Sequence, residues 1–186
     1  MNGLNNKFIQ CLLLISLLCS VFITAYNGTG MIGIALTMGR DLRFSLIQTE
    51  WLVVVFLMVA TVSVALFGQL RDIIGSYPCV FLGNLLFLAG SIMLALTNVA
   101  WLAILGRCFQ GLGAGALIPT TLTGLKEVMP KHLALATGLW SGMTALAFSM
   151  GPIIGGAFVN VTWRWLFWLN VIWRRPLIKC TWLLWL

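Results

Sequence analysis

Long apolar runs are the feature that most constrains this chain. Stretches of roughly 20 residues, the length of helix that crosses a bilayer, recur along its 186 residues. The candidate spans are 8–36, 51–69, 78–96, 100–122 and 133–159, and a sixth begins at Trp165. Short connections make consecutive spans antiparallel neighbours, and only the first connection exceeds ten residues. The pattern predicts an all-α polytopic membrane protein with five full transmembrane helices and an incomplete sixth.

Composition excludes several classes of protein. Hydrophobic residues make up 61% of the chain and charged residues 8%, whereas soluble domains are typically about 25% charged. The net charge of +7 comes from Lys and Arg residues that are scattered rather than clustered in a basic run, so the expected partner is the lipid bilayer and not nucleic acid. The five cysteines lack CxxC spacing and no catalytic cluster is visible. We therefore expect neither an enzyme nor a cofactor or metal site.

The basic residues predict the orientation. If the N-terminus is inside, seven basic residues face the cytoplasm and three face outward, which agrees with the positive-inside rule. The inner set is Lys7, Arg71, Lys126, Lys131, Arg174, Arg175 and Lys179. Four tryptophans fall at the predicted outer interface, where amphipathic rings collect: Trp51, Trp101, Trp163 and Trp165. Both signals predict a multi-pass protein of the cell (inner) membrane with a cytoplasmic N-terminus.

Arg107 lies inside the fourth predicted span, in the run LGRCFQGLGAGALIP. A charged residue at membrane depth costs at least about 2.5 to 3.5 kcal/mol by insertion scales, so it is a candidate functional residue. Gly111 and Gly115 follow on the same helical stripe and form a GxxxG pair that lets another helix approach closely. Helix packing alone explains the glycines but not the arginine, and both interpretations stay open.

Two sequence motifs between residues 68 and 111 resemble those of the major facilitator superfamily. Residues 68–76, GQLRDIIGS, resemble its cytoplasmic loop motif Gly-x-Leu-Ala-Asp-Arg-x-Gly-Arg-Arg, and residues 107–111 match its Arg-x-x-Gln-Gly signature. The candidate gate residues of the loop are Gly68, Arg71, Asp72 and Gly75.

Two further motifs are similar to the drug:proton antiporter branch of that superfamily. Residues 151–156 resemble its Gly-Pro-x-x-Gly-Gly element, with Gly151, Pro152, Gly155 and Gly156 as the candidate helix-bending residues. Pro152 removes the hydrogen bond to the carbonyl of Phe148 and is expected to kink the fifth helix. Residues 163–170 resemble the entry to helix six in fourteen-helix exporters.

The resemblance implies a fold and a function. Residues 1–171 would form the N-terminal bundle of a major facilitator fold, in a family whose members bind substrate between two halves. It implies efflux of hydrophobic or cationic small molecules by proton antiport, with a C-terminal half that this chain lacks. The candidate pathway residues are Tyr26, Asn27, Arg107 and Gln110.

The chain departs from the family pattern at two of these places. Related antiporters carry an acidic residue in helix one, where this chain has Tyr26 and Asn27. The loop motif lacks most of its basic residues, and only Arg71 could compensate. Asp72 is expected one or two residues beyond a helix end, in solvent.

Depth along the helices predicts a contact between Arg107 and helix one. Asn27 lies about 13 Å and Arg107 about 9 Å below the outer membrane surface, at 1.5 Å per residue. Because a guanidinium in hydrocarbon must have partners, we expect Arg107 to pack near Asn27, with an amide or a backbone carbonyl exposed by Gly28 as acceptor.

The C-terminal stretch resembles no part of the family. The sixth span reaches only residue 172 before Arg174, Arg175 and Pro176, and eight residues rise about 12 Å against a hydrocarbon core of about 30 Å. Residues 172–186 are therefore expected to be an unrelated tail from a frameshift or truncation, and the segment from Trp165 to lie re-entrant or along an interface. The alternative function is a non-transporting, truncated remnant of such a gene.

Overall fold

The computed structural model describes the backbone of residues 2–159 and 162–185 and the side chains of 10–159 and 162–178. Lys7 and Lys179, which entered the orientation argument, lie outside the described side chains. The described residues form six α-helices: α1 (Asn2–Asp41), α2 (Leu46–Ile74), α3 (Ser76–Leu96), α4 (Ala100–Val128), α5 (Leu133–Val159) and α6 (Arg164–Trp185). The helices α1 to α5 are long and apolar enough to cross a bilayer, as predicted.

Glycines on two faces of α4 let this helix pack closely against both α2 and α3. A Cβ atom at Gly111 would lie 2.9 Å from the carbonyl oxygen of Phe56 in α2, and one at Gly113 would lie 2.7 Å from the backbone nitrogen of Phe87 in α3. The predicted stripe through Gly111 and Gly115 is thus filled by α2, which shows the packing role of these glycines. The α1 helix packs mainly on α5, and α6 packs on α3.

The first connection is shorter than predicted, because α1 continues to Asp41 and α2 begins at Leu46. Ser45 and Gln48 form a reciprocal capping box: Gln48 N donates to Ser45 Oγ at 3.2 Å, and Ser45 N donates to Gln48 Oε1 at 2.9 Å. This cap satisfies backbone donors at the helix start and begins α2 before the apolar run at Trp51. The prediction of a long first loop was wrong.

The junction between α2 and α3 also differs from the prediction. The α2 helix extends to Ile74, so Asp72 lies within its last turn rather than beyond its end. Gly75 ends the helix with φ of 91°, a conformation that glycine adopts without steric cost, and its N–H donates to Arg71 O at 2.8 Å.

The predicted break in the sixth helix is absent. The α6 helix runs for 22 residues, about 33 Å, and continues through Pro176. Arg174 is fully buried and donates to Asn84 and Thr24, so neighbouring helices offset its desolvation. The expectation of a re-entrant or interfacial segment from Trp165 onward was wrong, because Arg174 has hydrogen-bond partners in α1 and α3 and α6 continues through Pro176.

Side chains join several helix ends at the predicted outer side. Trp163 Nε1, directly before α6, donates to Asp41 Oδ2 at the end of α1 at 3.0 Å. Arg164 donates to Ala95 O at 2.7 Å and to Asn98 Oδ1 at 2.8 Å, at the end of α3. Trp163 is therefore buried inside the bundle rather than placed in the membrane interface, whereas the other three tryptophans of the predicted belt are exposed.

Candidate functional site

Arg107 is the centre of a buried polar cluster that joins α1, α2 and α4. Its side chain is fully buried. Arg107 Nη1 donates to Asn27 Oδ1 at 3.1 Å and to Gln110 Oε1 at 2.6 Å. Arg107 Nε donates to the carbonyl oxygen of Leu52 at 2.6 Å. The predicted contact with Asn27 is confirmed, but the backbone acceptor comes from Leu52 of α2 and not from the neighbourhood of Gly28.

Two further residues complete this cluster. The guanidinium carbon of Arg107 lies 4.3 Å from the centroid of the Phe56 ring, a cation–π geometry. Gln110 Nε2 donates to Ser91 Oγ of α3 at 2.9 Å, so the cluster reaches a fourth helix. All acceptors of Arg107 found in the described part of the chain are neutral oxygens. Sequence reasoning missed Phe56 and Ser91, which carry no signal beyond their positions in apolar spans.

Tyr26 belongs to a second buried cluster. The Tyr26 hydroxyl donates to Asn170 Oδ1 of α6 at 2.5 Å. Of the four predicted pathway residues, the structure therefore brings Asn27, Arg107 and Gln110 together and turns Tyr26 toward α6. Adjacent residues of a helix point in directions about 100° apart, which explains how Tyr26 and Asn27 serve different clusters.

Arg174 is the cation of this second cluster. Its Nη1 donates to Asn84 Oδ1 at 2.5 Å and its Nη2 to Thr24 Oγ1 at 2.8 Å. Its guanidinium carbon lies 3.7 Å from the centroid of the Phe87 ring. Sequence reasoning missed this cluster, although Asn84 in the middle of an apolar span was a usable signal.

Pro152 removes the hydrogen bond to the Phe148 carbonyl within α5, and the structure gives that carbonyl a new donor. Thr29 Oγ1 of α1 lies 3.3 Å from Phe148 O. Gly151 and Gly155 make this approach possible, since a Cβ at Gly151 would overlap Thr29 and one at Gly155 would overlap the backbone of Gly30. The last glycine of the motif, Gly156, has open space around it. The motif thus acts as a close α1–α5 contact.

The candidate gate residues lie at the C-terminal end of α2, far from the Arg107 contact at Leu52 near its N-terminal end. Arg71 donates to Asp72 Oδ1 from Nη2 at 2.6 Å, and from Nη1 to Thr123 Oγ1 of α4 at 2.7 Å. The Asp72 side chain is 67% exposed, in agreement with the predicted solvent contact. A Cβ atom added at Gly68 would have no neighbour within 4 Å. Ser76, where the family pattern has a basic residue, donates to Glu127 Oε1 at 2.7 Å.

A cleft of about 400 Å³ opens between α1, α2, α4 and α5. Three aromatic side chains contribute to its wall, namely Phe56, Trp140 and Phe148. Hydroxyl groups are its main polar feature, and the threonines that line it are Thr24, Thr29, Thr61 and Thr144. A second cavity of about 340 Å³ lies between α1, α5 and α6.

Comparison with known proteins assigns the family. A family model described as Major Facilitator Superfamily matches residues 17–173. The chain belongs to the major facilitator superfamily. It is therefore a multi-pass membrane protein from a family of transporters rather than enzymes. The superfamily match ends in α6, one residue before Arg174.

Several curated relatives in the superfamily are 28% to 34% identical to this chain over the aligned residues. An MFS-type transporter of Aspergillus terreus is 34% identical over 161 residues, 85% of this chain and 29% of the relative. Efflux pump dotC of Dothistroma septosporum is 32% identical over 86% of this chain and 28% of the pump. Multidrug transporter protein MdtP of Bacillus subtilis is 28% identical over 87% of this chain and 30% of the transporter. The chain spans less than a third of the length of these relatives.

Proposed function

We propose that this chain forms one wall of the pathway of an exporter of small hydrophobic or cationic molecules. The observation that carries the proposal is the apolar cleft of about 400 Å³ between α1, α2, α4 and α5. Binding sites for small molecules have this size and are lined mainly by hydrophobic and aromatic side chains. Aromatic faces also attract cations, and Phe56, Trp140 and Phe148 present such rings. The names of two relatives, an efflux pump and a multidrug transporter, support export.

The opposite wall of the pathway would come from a second helical bundle. The chain covers 28% to 30% of the length of three relatives. Large apolar side chains of α2 and α5 that line the cleft are exposed, among them Leu57 and Phe148. A second bundle that covered these side chains would enclose the cleft, and the substrate would bind between the two bundles.

Coupling to protons would require a titratable group in the pathway, and we assign that group to the second bundle. The four carboxylate side chains of this chain are Asp41, Glu50, Asp72 and Glu127. All four are exposed and lie near the ends of their helices. Arg107 remains the candidate coupling residue on this side, because it lies next to the cleft residue Phe56.

For orientation we propose a cytoplasmic N-terminus in the cell (inner) membrane. Reporter fusions at Leu42, in the loop before α2, and at Met129, in the loop after α4, test this. A reporter that is active only outside the cell should be active at Leu42 and inactive at Met129. Equal activity at the two positions would contradict the proposed orientation.

Binding of a hydrophobic cationic dye tests the proposed substrate class. The full chain in lipid nanodiscs should bind the dye saturably, and Phe148→Ala should weaken binding about two- to fivefold, since a cation–π contact is worth about 0.5 to 1 kcal/mol. Met150→Ala is the matched control, because Met150 is exposed on the same helix and does not line the cleft. Equal effects of the two substitutions, or no saturable binding, would contradict the proposal.

A further inference from the structure

The Arg174 cluster contains a buried cation whose observed acceptors are neutral. Arg174 is fully buried, and its partners are the amide oxygen of Asn84 and the hydroxyl of Thr24. All four carboxylate side chains of the sequence are exposed near helix ends, so none of them compensates this charge. A charge removed from water is destabilising unless a counter-charge or a full set of hydrogen bonds replaces its hydration.

Two buried donors of the same cluster have no acceptor among the described residues. They are Arg174 Nε and Asn170 Nδ2. Residues 170 and 174 are one helical turn apart and lie on the same face of α6. The Tyr26 hydroxyl donates to Asn170 Oδ1 at 2.5 Å, which leaves the NH₂ group of this amide as the free donor. The cluster therefore combines a positive charge with two unused N–H donors.

A cavity of about 340 Å³ lies next to this cluster. Leu169 and Trp173, the residues that precede Asn170 and Arg174 on α6, line it together with Tyr26. Tyr26 joins the two features, because it lines the cavity and its hydroxyl donates to Asn170. Apart from Tyr26 its walls are almost entirely apolar, and among the described residues near it the Arg174 cluster supplies the positive charge that would attract an ion.

We propose that Arg174 and Asn170 bind a small monovalent inorganic anion, such as chloride, between α1, α3 and α6. A halide accepts hydrogen bonds from several directions and compensates the charge of the guanidinium. A water molecule could accept the same hydrogen bonds, but it would leave the charge uncompensated. The anion would fasten α6 to the bundle whether or not the assembled protein is an exporter, so this site is independent of the proposed function.

Thermal unfolding of the purified full chain in lipid nanodiscs tests the anion site. Chloride is replaced stepwise by gluconate, which is too large for the site, at constant ionic strength. We expect the unfolding midpoint to rise saturably with chloride, by about 2 to 5 °C, because a ligand that binds only the folded state stabilises it. Bromide should raise the unfolding midpoint as chloride does. A midpoint that is the same in chloride and in gluconate would overturn the proposal.

Three variants locate the effect. Arg174→Gln should abolish the dependence on chloride, whereas Arg175→Gln, its exposed neighbour, should keep all of it. Asn170→Asp places a carboxylate oxygen where the free amide nitrogen lies, so its midpoint in gluconate should reach that of the unsubstituted chain in chloride and should not change with chloride. If Arg174→Gln does not fold, the chloride dependence of the Asn170→Asp unfolding midpoint alone tests the site. Full chloride dependence in Asn170→Asp would refute the site, as would equal losses in the two arginine variants.

Discussion

Asn27 places a neutral amide beside a buried cation. Its Oδ1 accepts from Arg107 at 3.1 Å, so the amide satisfies one N–H group without neutralising the charge. The resemblance to antiporters implies an acidic residue in this stretch of helix one, and an acid there would both pair with Arg107 and exchange protons. The amide does only the first of these. At the residue scale, this cluster holds a fixed positive charge.

Substitutions of Asn27 and of Arg107, the two partners of one hydrogen bond, should change the free energy of unfolding in different ways. Asn27→Leu should lower the free energy of unfolding by about 1 to 2 kcal/mol, because it leaves a buried charge with one acceptor fewer. Arg107→Met should be neutral or stabilising, because replacing a buried charge with an apolar side chain of similar volume removes the desolvation penalty. Reversible unfolding in mixed detergent micelles measures both.

A surface arginine contact provides the control for this pair. Asn98 is exposed and accepts from Arg164 at 2.8 Å, so Asn98→Leu should change stability by no more than about 0.5 kcal/mol. Similar losses for Asn27→Leu and Asn98→Leu would mean that burial at Arg107 does not determine the strength of its hydrogen bonds.

At the scale of elements, Thr29 compensates for Pro152. Thr29→Val removes the hydroxyl that lies 3.3 Å from Phe148 O and should cost about 0.6 to 1.7 kcal/mol, the range for hydrogen bonds between membrane helices. Pro152→Ala restores a donor within α5, so Thr29→Val should cost less in that background. A double-mutant cycle measures the difference. Thr61→Val is a control, since the Thr61 hydroxyl donates to Leu57 O of its own helix. Strictly additive effects of Thr29→Val and Pro152→Ala would contradict the coupling.

The glycines of the same motif should differ sharply in their tolerance of a side chain. A Cβ at Gly155 would overlap the carbonyl oxygen of Gly30, so Gly155→Ala should separate α1 from α5 and cost about 1 to 3 kcal/mol. Gly156→Ala meets nothing within 4 Å and should be neutral or slightly stabilising. The same unfolding measurement applies, and equal tolerance at the two positions would show that the α1–α5 contact is not close.

The order of the helices could be predicted from the sequence, but their ends could not all be. The length of an apolar run locates a membrane span. It does not show the polar turns that extend the helix beyond the run, such as the turn capped by Ser45. The contact between Arg107 and Asn27 could be predicted from their depths. The acceptor role of the Leu52 backbone carbonyl could not, because nothing in a leucine side chain indicates it. The course of α6 depends on Asn84 and Thr24, residues 90 and 150 positions from Arg174, and no local pattern reports such pairs.

At the scale of the whole molecule, the bundle has a closed side and an open side. Arg107 and Arg174 lie among helices that shield them completely. The cleft beside Phe148 opens instead between apolar faces of α2 and α5. In a bilayer these faces would contact lipid unless a second bundle covered them, and a cleft open to lipid cannot alternate between two aqueous sides.

The last prediction follows from this open side. Cells that produce only these 186 residues should show no export of hydrophobic cationic dyes above the background of cells without the chain, because these residues supply one wall of the proposed pathway. Co-production of a second bundle from a relative such as Multidrug transporter protein MdtP should be needed for any efflux. The measurement is dye efflux at verified membrane levels of the chain, with the proton gradient intact and then collapsed. Reproducible, gradient-dependent efflux by the chain alone would contradict the prediction and would mean that copies of this bundle assemble the pathway. No efflux, with saturable dye binding retained in nanodiscs, would separate a competent half of an exporter from a remnant that has lost its binding surface.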